Sequence, residues 1–254
     1  MEDHYLESHL RDLFWTAKER GYVTSSAFLT PQEIAGIKAI FPQNSIVIYG
    51  GFDQFERAIT MFLPDFISPE VAISNEIETN EIVSCLRIET KSGKFSRSLN
   101  HRDYLGAILG LGIEREQIGD ILIEDGIAYV FVLSGMSSYV EDSLKQVGSE
   151  NVSVSKIPCS DCPASIHFEE KTFSVSSIRL DLLIAGAFNT SRETAQKLIQ
   201  GDLAKVDTAA QIENSTVLKE GDRVSVRGKG KFIYKGEQGK SKKGKAVVKI
   251  LLYR

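Results

Sequence analysis

Three segments in the last third of the chain decide its fold: SIRLDLL at residues 177–183, SRETAQKLIQG at residues 191–201 and EGDRVSVRGKG at residues 220–230. The first predicts a helix over residues 180–188. Ser191 is a strong N-cap residue and Gly201 commonly ends a helix, so the second segment predicts another short helix. The third predicts short strands around a turn. The last third should therefore hold two short helices and several strands.

Charge is divided unevenly along the chain. Residues 1–175 hold 14 Lys and Arg against 26 Asp and Glu, a net charge of −12, whereas residues 176–254 hold 16 against 8, a net charge of +8. From residue 223 onward there are eleven basic residues and one acid, Glu237. A basic block can be a solvated surface, but one-sided charge in a folded domain is typical of proteins that bind a polyanion. We therefore expect nucleic acid to be the partner of the last third.

Arg192 is the most informative single residue of this part. It lies in the first turn of the second predicted helix, where the helix dipole disfavours a cation by about 0.3 to 1 kcal/mol. An anion should offset that cost. Glu193, the next residue, is one alternative, and a bound phosphate is the other, because helix N-terminal amides and a guanidinium together form a phosphate site. Arg179, just before the first helix, is expected to reach the same surface.

These segments resemble the S4 domain, an RNA-binding module found in a ribosomal protein, some pseudouridine synthases and some tRNA synthetases. The resemblance departs from the usual pattern at Val206 and Asp207, where Val-Asn is common. It implies an αL-type S4 domain over residues 172–254, with RNA contacts at Arg179 and Arg192, and Asp181 is expected to orient an arginine. Further residues expected to contact RNA are Ser191, Lys197, Arg227, Lys229 and Lys231.

The first 81 residues predict a small α/β unit. Amphipathic spacing indicates a helix over residues 4–20. Thr30, Pro31 and Glu33 form the start signal of a second helix, with an N-cap, a first-turn proline and a capping box. The remaining predicted elements are a strand over residues 45–49, a helix over residues 54–63 and a strand over residues 71–73. Because the unit is acidic, we expect that it could bind a protein partner.

Residues 82–157 predict the order strand, helix, strand, strand, helix, strand. The elements are expected over residues 83–88, 101–111, 118–123, 127–133, 137–147 and 152–157. This βαββαβ order is typical of a ferredoxin-like or RRM-like domain, in which both helices cover one sheet face and the other face stays open. Tyr129 and Phe131 share a face, because side chains alternate along a strand. They are expected either to stack RNA bases or to pack under another domain.

Residues 158–171 contain Pro, Ser, Asp and Glu without periodicity and are predicted to form a linker. They hold a single C-x-x-C motif, Cys159 and Cys162. A structural zinc site needs four ligands, and only Cys85 and His167 are available besides this pair, so we predict no metal or redox role. The predicted architecture is α+β, without a cofactor. Its domains are residues 1–81, 82–157 and 172–254.

The resemblance becomes more specific upstream. HRDYLGAILGLGIEREQIGDILI at residues 101–123 and KTFSVSSIRLD at residues 171–181 resemble the YlmH family of bacterial S4-domain proteins. The family implies a cytoplasmic factor of Gram-positive bacteria, linked to cell-division gene clusters, that engages the large ribosomal subunit carrying peptidyl-tRNA in ribosome-associated quality control. The expected function is therefore non-catalytic binding of structured RNA, with rRNA and tRNA as partners.

Two other functions remain open: an RNA-modifying enzyme of the pseudouridine synthase type, and a cell-division adaptor that uses the acidic N-terminal unit. The sequence offers little for catalysis. His101, Arg102 and Asp103 match the start of a kinase catalytic loop, but Ile108 stands where that loop needs Asn. The four histidines form no metalloprotease or triad pattern. No run approaches the roughly 18 apolar residues of a membrane helix, so we predict a cytoplasmic protein.

Overall fold

The computed structural model describes residues 2–91, 99–207 and 212–253. These residues form two compact units, one within residues 1–165 and one within residues 166–254. The protein is of mixed α+β type, and its described strands form three antiparallel sheets. Within the same ranges, every helix is too short or too polar to span a lipid bilayer.

The first unit runs from helix α1 to strand β8. Its elements are α1 (Glu2–Arg20), β1 (Thr24–Ser25), α2 (Pro31–Ile40), β2 (Ile46–Tyr49), β3 (Ile59–Phe62), α3 (Pro69–Thr79), β4 (Val83–Thr90), α4 (His101–Leu109), β5 (Ile118–Glu124), β6 (Ile127–Leu133), α5 (Ser134–Ser143), β7 (Gln146–Val147) and β8 (Glu150–Ile157). Single 3-10 turns lie at Gln43–Ser45, Arg115–Gln117 and Cys159–Asp161.

The smaller sheet of this unit has strand order β1-β3-β2. Its buried side chains share one core with apolar residues of α1 and α2. Helix α2 begins as predicted. The Thr30 hydroxyl accepts the N–H of Glu33 at 3.4 Å, and the Glu33 carboxylate accepts the N–H of Thr30 at 2.6 Å. The predicted capping box, with Pro31 in the first turn, is therefore confirmed.

Two predicted elements of this unit are wrong. The helix expected over residues 54–63 is replaced by β3, which is buried along its whole length and pairs with β1 and β2. In so short an apolar run, the spacing of side chains does not distinguish a helix from a strand. Pairing with other strands decides its conformation. The strand expected over residues 71–73 lies inside α3. Ser68 caps that helix by accepting the N–H of Val71 at 3.4 Å, and Pro69 begins it.

The larger sheet of the first unit has strand order β5-β6-β4-β8-β7. The predicted βαββαβ order is present, with the two-residue strand β7 added before β8. Helices α4 and α5 pack on one face, where the core side chains include Leu86, Ile88, Tyr104, Ile108, Val130, Val132 and Val140. Side chains alternate along each strand, so Cys85 and its register partner Phe131 point to the other face.

The second unit contains one five-stranded sheet and two helices within its described residues. Its elements are β9 (Phe168–Val175), α6 (Leu180–Ala187), α7 (Arg192–Gln200), β10 (Ala204–Val206), β11 (Arg223–Val226), β12 (Gly230–Lys240) and β13 (Ala246–Tyr253). The two predicted short helices are confirmed. Strand β9 begins at Phe168, inside the segment expected to be a linker.

The sheet of the second unit has strand order β10-β11-β12-β13-β9. Helices α6 and α7 share one core with it, which includes Leu183, Ile184, Ala195, Ile199, Phe232, Val248 and Ile250. Gly186 allows α6 to lie close to β9, because a Cβ at this position would come within 2.0 Å of the Phe173 ring. Close packing therefore holds the last turn of α6 against β9.

Candidate nucleic-acid interface

The candidate site is built on the first residues of α6 and α7. Arg179 immediately precedes α6, and Asp181 lies in the first turn of that helix. Ser191 caps α7, since its Oγ accepts the N–H of Thr194 at 3.1 Å, and Arg192 is the first residue of α7. The predicted capping role of Ser191 is confirmed. Both arginines are therefore held at helix starts by the backbone.

A buried carboxylate joins these two helix starts. Nε and Nη2 of Arg179 donate to the two oxygens of Asp181, each at 3.2 Å. Nε of Arg192 donates to Oδ2 of Asp181 at 2.9 Å, and Nε2 of Gln196 donates to the same oxygen at 3.0 Å. We call these four residues the Asp181 cluster. The prediction that Asp181 orients an arginine is confirmed, and it orients both.

The cluster presents positive charge outward. The Asp181 side chain is fully buried, whereas the side chains of Arg179 and Arg192 are 34% and 52% exposed. Burial by itself would raise the pKa of the Asp181 carboxyl, but hydrogen bonds from Arg192, Gln196 and Arg179 outweigh it and hold that pKa below its usual range. One buried negative charge thus fixes two partly exposed guanidinium groups, and the local net charge is positive.

The unused donors of these arginines suit a phosphate. A guanidinium carries five N–H donors, and the bond from Arg192 to Asp181 uses only Nε. Its two terminal nitrogens, with four N–H groups, are not engaged by that carboxylate. Planar guanidinium forks bind phosphate oxygens through paired hydrogen bonds. The geometry is therefore suited to holding RNA phosphates.

The acid next to Arg192 is engaged elsewhere. Glu193 pairs with Lys197 one turn along α7, at 2.8 Å, and both side chains are largely exposed. The alternative in which Glu193 offsets the charge of Arg192 is therefore not the arrangement found. Glu193 partly neutralises the charge of Lys197. The RNA contact expected at Lys197 stays a prediction.

The remaining predicted contacts form a separate group. Arg227, Lys229 and Lys231 lie at the turn between β11 and β12 and at the start of β12. Gly230 lies against Phe188, which follows α6, since a Cβ at this glycine would be 3.5 Å from the ring. Arg179 precedes the other end of the same helix, and eight helical residues span about 12 Å. The structure does not bring these cations into the Asp181 cluster, and their RNA contacts stay predictions.

Tyr129 and Phe131 are buried, with 4% and 0% of their surface exposed. The ring of Phe52 stacks on that of Phe131, with centroids 4.9 Å apart and planes 23° from parallel. Gly51, at a φ of 94°, permits this approach, because a Cβ there would lie 2.2 Å from the Phe131 ring. The sheet face expected to be open is covered by the preceding part of the chain. Both rings are buried, so base stacking on them is a wrong prediction, and Phe131 packs under Phe52 instead.

The three cysteines lie close together at this covered face. The Cys159 thiol donates to the carbonyl of Val83 at 3.5 Å, and the Cys162 thiol donates to the carbonyl of Ala164 at 3.9 Å. Burial raises the pKa of Cys159 to about 12, whereas the neighbouring Cys85 thiol lowers the pKa of Cys162. Among the described residues, no group of three or more His, Cys, Asp or Glu side chains is arranged to hold a metal ion.

Sequence reasoning missed Gln196. This side chain completes the Asp181 cluster as a third donor at 3.0 Å. The signal was its position four residues after Arg192, which places both side chains on one face of α7. A polar residue at that spacing indicates that the two share a partner.

Comparisons with known proteins address the identity of the chain. The family model described as "Putative RNA-binding domain in YlmH" matches residues 83–161. "Ribosome-associated protein quality control protein P2" of Bacillus subtilis (strain 168) is 32% identical over 222 residues, which is 86% of this chain and 82% of that protein. A solved structure, "Cell division protein ylmH from Streptococcus pneumoniae", is 23% identical with a TM-score of 0.45, over 63% of this chain and 89% of that one.

The two sequence matches agree with the resemblance seen in the quoted segments. The family model spans the larger sheet of the first unit from β4 to β8, and the relative from Bacillus subtilis extends the match to 86% of the chain. On this evidence the chain belongs to the YlmH family.

Proposed function

We propose that this chain is a non-catalytic RNA-binding protein that acts on the large ribosomal subunit in ribosome-associated quality control, with rRNA and tRNA as its ligands. The observation that carries the proposal is the Asp181 cluster, in which a buried carboxylate fixes two partly exposed arginines. The name of the Bacillus subtilis relative supports the ribosomal setting. Peptidyl-tRNA on that subunit is the proposed partner, and the cytoplasm is the proposed location.

The proposal includes a domain assignment. Residues 82–157 are taken as a ferredoxin-like or RRM-like domain, supported by their βαββαβ order and by helices packed on one sheet face. Residues 172–254 are taken as the S4 domain, supported by the helix pair and the cluster at its start. Because β9 already begins at Phe168, the proposed linker shortens to residues 158–167. Residues 1–81 form the acidic unit proposed to bind a protein partner.

The environment of Asp181 argues against a catalytic role for it. A general acid near neutral pH needs a raised pKa, whereas hydrogen bonds from Arg192, Gln196 and Arg179 lower the pKa of this carboxyl. Its oxygens accept four hydrogen bonds from those side chains. A carboxylate so occupied positions its neighbours, which favours RNA binding over RNA modification.

Salt dependence of binding tests the proposal. Each neutralised phosphate contributes roughly 0.7 to 0.9 to the slope of log affinity against log salt, so Arg192→Ala should flatten that slope by about one unit. Binding of the full chain to purified large ribosomal subunits and to tRNA would be measured at several salt concentrations. Arg179→Ala is expected to act in the same direction.

The matched control is Arg11→Ala. Arg11 is another exposed arginine, and it forms an ion pair with Glu7 four residues away in α1. Its loss should leave the slope unchanged and lower the melting temperature only slightly, because a surface pair contributes about 0 to 1 kcal/mol and the contact of Arg11 with the Phe41 ring about 0.5 to 1 kcal/mol. Unchanged slopes in folded Arg179→Ala and Arg192→Ala variants would overturn the proposed site.

A further inference from the structure

The turn between β12 and β13 carries a dense group of exposed lysines. Four of the six residues from 240 to 245 are lysine, and all four are exposed. The turn is ordered by its own hydrogen bonds. The N–H of Ser241 donates to the carbonyl of Lys245 at 2.8 Å, and the N–H of Gly244 donates to the carbonyl of Ser241 at 2.8 Å. We call residues 240–245 the hairpin tip.

The charge of the hairpin tip is not offset by neighbouring acids. Elsewhere in the second unit, Lys197 pairs with Glu193 and Lys249 pairs with Glu170. Across residues 2–91, 99–207 and 212–253, no acid forms such a pair with a lysine of the tip. The nearest acid along the hairpin is Glu237, three residues before Lys240. Four like charges held close together repel one another, and a polyanion would relieve that repulsion.

Strand register places the hairpin tip at the same end of the sheet as the Asp181 cluster. Lys240 is opposite Ala246, and Ala246 is opposite Val175, the last residue of β9. Arg179 follows Val175 by four residues, a reach of at most about 14 Å between Cα atoms, and paired strands add roughly 5 Å. Two such pairings separate Val175 from Lys240, so the near end of the tip lies within about 25 Å of Arg179.

The other basic group lies at the opposite end. Gly230 begins β12 opposite Val226, and Phe232 is opposite Leu252, close to the last residue of β13. Arg227 and Lys229 thus lie a full strand length from the hairpin tip. The two basic turns thus lie at opposite ends of the sheet, and of these two, the hairpin tip shares its end with the arginines fixed by Asp181.

We propose that the hairpin tip is a second phosphate-binding surface, which contacts the backbone of the same folded RNA that Arg179 and Arg192 hold. The proposal rests on the proposed function and extends it to a second contact. Lysine ammonium groups act as mobile point charges and select no base, whereas arginines held in a fixed geometry favour one phosphate arrangement. The tip therefore adds affinity and salt dependence, and leaves sequence preference unchanged.

The test replaces the charge of the tip within the full chain. The variant carries glutamine at Lys240, Lys242, Lys243 and Lys245. If all four contact phosphates, the slope of log affinity against log salt should fall by about 3, which corresponds to a loss on the order of a hundredfold near 0.15 M salt. Arginine at the same four positions should restore binding, because charge and not lysine itself is required.

Controls separate a local contact from the effect of net charge. A variant of equal charge carries glutamine at four exposed lysines of the first unit: Lys38, Lys91, Lys145 and Lys156. It should lose far less affinity than the tip variant, and melting curves should show both to be folded. Equal losses in the two glutamine variants would overturn the proposal, as would an unchanged slope in the tip variant.

The outcomes also distinguish this proposal from the proposed function. If Arg192→Ala flattens the slope and the tip variant does not, RNA binding at the Asp181 cluster stands and the second surface is rejected. If the tip variant flattens it and Arg192→Ala does not, the tip is a phosphate-binding surface and the contact with the arginine pair is rejected. If neither variant weakens binding to large subunits and tRNA, both proposed contacts are rejected.

Discussion

Two arginine pairs, one in each unit, show how differently the same side chain is used. In the first unit, Nε of Arg57 donates to the carbonyl of Ile118 at 3.1 Å and its Nη2 donates to that of Phe28 at 2.8 Å. Arg115 also donates to the carbonyl of Ile118. Burial lowers the pKa of Arg57, and burial together with the neighbouring Arg57 lowers the pKa of Arg115 to about 10.

In the second unit, Arg179 and Arg192 are fixed by a carboxylate instead of by carbonyls. Asp181 is buried while both guanidinium groups remain partly exposed. Arginines bound to backbone carbonyls hold distant segments of the chain together, and burial makes their charge costly. Arginines bound to one buried anion keep outward donors and net positive charge. The comparison teaches that the partner of an arginine decides whether its guanidinium keeps donors and positive charge toward solvent.

The largest effect that would sharpen this comparison is expected from Arg57→Ala. Removal of this side chain takes one donor from the carbonyl of Phe28 and one from the carbonyl of Ile118. The free energy of unfolding should therefore fall by about 3 kcal/mol. Urea unfolding would measure it. The salt slope for RNA should not change in molecules that remain folded, and a flattened slope would show that the first pair also binds RNA.

A smaller effect with an informative sign is expected from Asp181→Asn. If only net charge mattered, removal of an acid would strengthen RNA binding. Because Asp181 holds both arginines, its loss should instead free them, and ordering each freed side chain on binding costs about 0.5 to 1.5 kcal/mol. For two side chains the cost is about 1 to 3 kcal/mol, so we expect affinity to fall by roughly fivefold to a hundredfold. Tighter binding by a folded Asp181→Asn variant, measured beside Arg11→Ala, would contradict the positioning role.

The smallest expected effect is on the free energy of unfolding at acidic pH. The pKa of Asp181 is lowered in the folded protein, whereas an unfolded Asp titrates near about 3.9. The stabilisation by the charged carboxylate is therefore complete above about pH 4 and is lost as the pH falls below it. The difference in unfolding free energy between the wild type and Asp181→Asn, about 1 kcal/mol at neutral pH, should shrink below about pH 4. A difference that does not shrink at all as the pH is lowered below about 4 would show that charge is not its cause.

Local signals in the sequence predicted local structure well. Thr30, Pro31 and Glu33 fix the start of α2, and Ser191 fixes the start of α7, because caps depend on neighbours within one helical turn. The βαββαβ order of residues 82–157 could be predicted because strand-like and helix-like spacings of apolar residues alternate along this stretch. Strand β3 was mistaken for a helix because its conformation depends on pairing with strands elsewhere in the chain.

The candidate site was predicted in its residues but not in its arrangement. Arg179 and Asp181 are two positions apart, so their proximity could be expected from the sequence. The bond from Arg192 depends on how α6 and α7 cross, which no local pattern reports. The burial of Phe131 was one of two alternatives, and no local pattern could choose between them, since the ring that covers it, Phe52, lies 79 residues earlier in the sequence.

The pairing of β9 with β13 has a consequence for synthesis of the chain on a ribosome. Val175 pairs with Ala246, and Phe168 pairs with Tyr253. Strand β9, the first strand of the second unit, can therefore pair only after β13, the last strand, has been synthesised. At typical elongation rates of 5 to 20 residues per second, that interval lasts roughly 4 to 17 s. Throughout it, β9 is a nascent strand with an unpaired edge, which other chains can join.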